Sequence, residues 1–167
     1  TQVDWLKGLD VEGIFIPGNH DWVQGGRRGW RQVTNQQAWI DSLNDSRIMF
    51  LPRDGCPGPV EIKLSDKATM VIIDTQWFLH PWEKPGEDSE CEAKTPGDVF
   101  LMLNDIMARN ADKRVIVAAH HPMITYGNHG GVFTFKDHLF PLTALDSNLY
   151  IPFPIIGSFY PLYRSVL

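Results

Sequence analysis

A short β-branched and aromatic run that halts at proline and glycine constrains this chain most. Ile14-Phe15-Ile16 passes directly into Pro17-Gly18-Asn19-His20-Asp21. The run is too short for a helix and reads as a buried strand, which Pro-Gly stops abruptly. The same grammar returns where Val115-Ile116-Val117-Ala118-Ala119 runs into His120-His121-Pro122. In open α/β sheets, ligands bind in the crevice beyond the carboxyl ends of strands, so both polar clusters fall where chemistry is commonly done. Polar groups without partners at a buried strand end are costly. Neutral imidazole and the amide oxygen of Asn suit Zn, Fe or Mn, and a shared metal would resolve that cost.

The stretches between these strands fit an α/β alternation. Gln36 to Leu43 reads as a short helix with Trp39, Ile40 and Leu43 at helical spacing. Val60 to Leu64 alternates like a half-exposed strand, and Met70 to Ile73 reads as a fully buried one that ends in Asp74. Asp74 would share a rim with Asn19 and His120, and it reads first as a capping or hydrogen-bonded structural residue rather than a ligand. Trp82 to Lys94 is an acidic, loop-like excursion. At its end, Thr95 at N-cap, Pro96 at N1 and Asp98 at N3 mark a helix start with an imperfect capping box. Val99, Met102, Leu103 and Ile106 give that helix one apolar face, and it feeds the strand from Arg114 to Ala119.

Several residues admit a functional and a plainer reading. Trp5, Trp30 and Trp39 read as packing residues, whereas Trp22, next to Asp21, could wall a site. His80 reads as structural, and Met102 and Met107 as core packing. Arg27, Arg28 and Arg31 read as a solvated loop before they read as a phosphate clamp. Leu139 to Leu167 is punctuated by prolines that forbid a long helix, and it either wraps the core or meets a membrane surface or partner.

Composition sets the outer limits. The 167 residues, 43% hydrophobic, can bury the core of one domain. A formal net charge of −5 argues against nucleic acid as a standing partner. No stretch approaches the roughly 20 apolar residues needed to span a bilayer. Cys56 and Cys91 form no C-x-x-C pair, which leaves a mutual disulfide and two free thiols as alternatives.

Gly18-Asn19-His20-Asp21 and His120-His121-Pro122 together resemble the third and fourth signature motifs of the calcineurin-like metallophosphoesterases. His120-x-Pro122 followed by His129-Gly130 is similar in style to the purple acid phosphatase branch. The resemblance implies a partial metallophosphoesterase-type α/β/β/α sandwich with mixed sheets flanked by helices, with residues 1–167 forming a single incomplete domain and 139–167 its Pro/aromatic-rich wrapping segment. It implies hydrolysis of a phosphate-ester substrate by metal-activated water, with two divalent or trivalent ions, Mn, Fe or Zn. Asn19 and His120 would bind one ion, His20 would stand beside the leaving oxygen as its proton donor, and Asp21 would orient His20. His129 would contact substrate phosphate, unless Tyr126 to Gly131 is simply a glycine-rich turn. The family's early Gly-Asp-x-His, second Gly-Asp and late Gly-His-x-His do not occur in the sequence. The chain therefore resembles the middle of a longer protein, catalytically incomplete alone. The rival reading is a non-catalytic interaction module on a degenerate phosphoesterase scaffold. The branch resemblance and the cysteines lean toward a location outside the cytoplasm.

Overall fold

The computed structural model describes residues 2–122, 133–144, 146–154, 156–159 and 161. The chain is α/β and divides into two compact units, residues 1–121 and 122–167.

The first unit carries two sheets. Helix α1 (Gln2–Lys7) precedes β1 (Gly13–Phe15), which pairs in parallel with β2 (Ile48–Phe50), Phe15 opposite Phe50. The crossover between these strands is α2 (Gly29–Ser42). Its inward face is Val33, Gln37 and Ile40, spaced by four and three residues as one helical face requires. Trp39 lies one position before Ile40, which rotates it about 100° off that face. It is 51% exposed, and Trp5 is 81% exposed, so the packing role read for both from sequence is corrected.

The second sheet has the order β3-β4-β5, formed by Val60–Ser65, Ala68–Ile73 and Arg114–Ala119. Strands β3 and β4 are antiparallel, and β4 and β5 are parallel. The crossover from β4 to β5 contains α3 (Thr75–Leu79) and α4 (Pro96–Arg109). The α4 start predicted at Thr95 forms, and its capping box is complete: Thr95 Oγ1 accepts from Asp98 N, and Asp98 Oδ2 accepts from Thr95 N at 2.8 Å. Val99 and Ile106 are buried, as their spacing predicts, whereas Met107 is exposed at 49% and does not pack in the core. Among the described residues strand β5 lies at the sheet's edge, and Ile116 and Val117 are about half exposed despite the apolar run.

The cores follow the sheets. Val3, Trp22, Val33, Ile40, Ile48, Phe50 and Trp77 cluster around β1 and β2. Val71, Ile73 and Ile106 cluster under β4, and Phe78 packs against both groups. Cys56 and Cys91 form a disulfide with their Cα atoms 5.7 Å apart, which settles the alternative left open by the sequence. It fastens the acidic excursion to the segment that leads into β3.

In the second unit, α5 (Phe135–Leu139) starts at a capping box of Thr134 and Asp137. Short 3-10 turns follow at Pro141–Ala144 and Ile156–Ser158. Phe140 meets Tyr150 edge-on at 5.5 Å, and Lys136 Nζ donates to Tyr150 Oη at 2.8 Å. Ile156 and Phe159 are exposed.

Candidate functional site

Parallel pairing places the two strand ends of the second sheet together. Ile73 is the register partner of Ala119, so Asp74-Thr75 and His120-His121 leave the sheet side by side. The turn after β1 reaches the same rim. Asn19 Oδ1 stands 3.0 Å from His120 Nε2, although 101 positions separate them in sequence. The two residues read as ligands of one ion are thus brought together.

The turn that carries Asn19 and His20 is tightly stitched. Asp21 N and Trp22 N donate to Gly18 O, Val23 N to His20 O, and Gln24 N to Asn19 O at 2.6 Å. Asp21 Oδ2 accepts from Gly18 N at 2.7 Å, so the hydrogen bond this carboxylate makes is with its own turn. His20 is exposed and Asn19 half-buried. Gly18 backs directly onto the His120 ring: a Cβ there would lie 2.6 Å from Nδ1 and 2.9 Å from Cγ. Only glycine allows that approach.

Just beyond Asp21, Val23 and Gln24 adopt φ of 53° and 52°. Side-chain-bearing residues, above all β-branched ones, rarely occupy this left-handed region, at a cost of about 1–3 kcal/mol each. Such a turn persists where its surroundings hold it, and the preceding residue, Trp22, is itself anchored. The indole is fully buried, packs at 4.7 Å against His80, and donates from Nε1 to Asp74 Oδ2 at 2.7 Å. Trp22 is therefore a core residue, not the wall of a site that its position in the sequence suggested. Gly29 closes under this cluster, where a Cβ would come within 2.6 Å of Trp22 O and 2.7 Å of His80 Cε1.

Asp74 behaves as its structural reading predicts. Its Oδ1 accepts from Gln76 N at 2.9 Å and Trp77 N at 3.2 Å, capping α3. Burial pushes the carboxyl up to about 7, against those hydrogen bonds and the one from Trp22, with the nearby Asp21 charge adding to the rise. His80 is buried and structural. Burial, with the Lys84 charge beside it, holds its pKa below the ordinary imidazole value.

Thr75 and His121 complete the rim. Thr75 Oγ1 accepts from His121 N at 3.1 Å and lies 2.8 Å from His121 Nδ1, to which the hydroxyl can donate. Burial lowers the His121 pKa, and the His120 charge adds to the effect, so His121 favours its neutral form. The two imidazoles meet edge-on at 4.9 Å. The signal for Thr75 was the β4-β5 register, which no single strand reveals. An apolar cleft of about 340 Å³ opens beside Thr75 and His121, bounded by Phe78, Leu79, Phe100 and Leu103.

Of the remaining candidates, Arg27 stacks over Trp82 with its guanidinium 4.2 Å from the ring centroid, and Arg28 and Arg31 are exposed. His129 lies outside the described residues. Among the described residues, no group of three or more His, Cys, Asp or Glu side chains converges to hold a metal. His120 Nε2 and Asn19 Oδ1 are joined by a 3.0 Å hydrogen bond in which the ring N–H donates, and a metal bound on this edge would take the place of that proton. No protein-family model matches the chain, and no curated protein and no solved structure does so either.

Proposed function

We propose that this chain is part of a metallophosphoesterase, a hydrolase that cleaves phosphate esters with two metal ions. It would be a portion of that family's α/β/β/α sandwich, with activity requiring ligands beyond those present here. The observation that carries the reading is the 3.0 Å approach of Asn19 Oδ1 to His120 Nε2. Neighbouring ligands of an octahedral Mn or Fe ion, each about 2.1 Å from the metal at a right angle, stand about 3.0 Å apart, against about 3.4 Å for a tetrahedral Zn. The donor pair fits one edge of such a coordination sphere.

When bound, the ions would activate water and neutralise charge on the phosphate. Asn19 and His120 would hold one of them. His20, exposed on the same turn, would donate a proton to the departing alkoxide. His129 would contact the phosphate. The Cys56–Cys91 disulfide supports a location in an oxidising compartment outside the cytoplasm.

The test is Mn²⁺ titration of the chain by calorimetry, paired with hydrolysis of an aryl phosphate by the longest native polypeptide that contains it. Asn19→Leu and His120→Ala should each weaken Mn²⁺ binding at least tenfold. Failure of the unsubstituted protein both to bind Mn²⁺ and to hydrolyse the ester would overturn the reading in favour of a non-catalytic interaction module.

A further inference from the structure

The site turn is fastened to the second sheet at two places. One is the Asn19–His120 contact at the rim. The other is deeper, where Trp22 Nε1 donates to Asp74 Oδ2 at 2.7 Å across 52 positions of sequence, both side chains fully buried. The second fastening leads back to the first. Asp74 caps α3, the next residue Thr75 binds His121, and His121 adjoins His120. The contacts close a ring that begins and ends on the turn from Gly18 to Gln24.

The backbone within that ring needs an external hold. Val23 and Gln24 sit in the left-handed region, and Gln24 N donates to Asn19 O at 2.6 Å, so a shift of the strained segment is passed to Asn19. Trp22 is the residue between the strained pair and the polar pair His20-Asp21. Its indole carries one hydrogen-bond donor, and Asp74 receives it.

We propose that Asp74 is a positioning residue which, through the Trp22 indole, sets the Gly18-to-Gln24 turn and thereby the place of Asn19 and His20 relative to His120. The proposal rests on the phosphoesterase reading for its functional consequence. Its structural content stands independently.

Three variants of the full chain test it: Trp22→Phe, Asp74→Asn and the double substitution. Phe keeps an aromatic ring and removes the donor together with part of the buried indole's volume, whereas Asp74→Asn breaks the same link without a change of volume. Asn keeps an oxygen for the α3 cap and turns an amide N–H₂ toward the indole N–H. Amide hydrogen exchange is read at residues 21–24 and, as an internal control, in α4. Each single variant should speed exchange of the turn at least tenfold relative to α4. The double should exchange no faster than the faster single, since all three break one link. Mn²⁺ affinity should fall about tenfold in the same variants under conditions where they are folded. Turn amides that keep the unsubstituted rate, or that quicken only in step with α4, would overturn the proposal. If Asp74→Asn does not fold, Trp22→Phe decides alone. If the unsubstituted protein neither binds Mn²⁺ nor hydrolyses ester, the functional reading fails, while the exchange comparison still decides whether Asp74 holds the turn.

Discussion

Asn19 Oδ1 and His120 Nε2 lie 3.0 Å apart at the ends of strands that belong to two different sheets. The contact depends on a glycine. With no Cβ at position 18, the His120 ring lies flush against the turn that carries Asn19.

Gly18→Ala should separate the pair without unfolding the chain. The added methyl would fall 2.6 Å from His120 Nδ1, and the ring is exposed and free to swing away. Gly18 itself is buried, but the clash is with an exposed ring and not with backbone, so the expected melting shift corresponds to about 1 kcal/mol. Mn²⁺ affinity should fall at least tenfold. The His120 ¹⁵N resonances would register the movement, and unmoved resonances would refute it.

His20→Ala tests the proton donor separately from the ligands. Turnover of a phosphate ester by the intact native protein should fall by roughly 10²- to 10⁴-fold, with metal content unchanged. An ester whose leaving group needs no proton should be spared much of that loss. Equal loss on both esters would remove the acid role.

Asp74 makes stability depend on pH in a defined direction. The folded carboxyl is pushed to about 7, above its ordinary value of 3.8. The folded chain therefore retains a proton that the unfolded chain has released over the window from about pH 4 to 7. The contribution is fully present below that window and is lost as pH rises through 7, a swing of about 4 kcal/mol. Asp74→Asn cannot titrate. The stability advantage of the unsubstituted chain over this variant, measured by urea unfolding, should shrink steadily between pH 4 and 7.5. Parallel curves would count against it.

The disulfide closes a loop with a sequence separation of 35. Replacing Cys56 and Cys91 by Ser together should destabilise the chain by about 3–4 kcal/mol if restriction of the unfolded chain dominates. Urea unfolding of the oxidised and double-Ser forms measures it. Matching midpoints would show that the acidic excursion is held by other contacts.

Helix α4 offers a simple local check. Thr95→Ala removes the oxygen that accepts from Asp98 N at 3.2 Å and breaks the capping box. The expected cost is about 1 kcal/mol. Exchange should quicken first in the initial turn of α4.

Much of this arrangement is legible one segment at a time. The strand from Arg114 to Ala119, the start of α4 at Thr95 and the capping role of Asp74 follow from alternation, capping chemistry and chain stops, all of which act over a few residues. Asn19 and His120 were marked by the polar ends of two apolar runs. Trp39 and Met107 are exposed against the packing role their apolar character predicts, because an apolar side chain on a helix does not by itself say which face is inward.

The sequence by itself determined where the β4 and β5 runs stop, where α4 begins, and which polar residues stand at strand ends, because those outcomes rest on local backbone chemistry, whereas α2 begins at Gly29, seven residues before the helix read from Gln36. Tertiary structure alone decided that Ile73 pairs with Ala119, that Thr75 meets His121, and that Trp22 turns inward to Asp74. Those contacts join residues about 45 to 50 positions apart, and strand register and the burial of a bulky indole depend on how whole elements fill a common core.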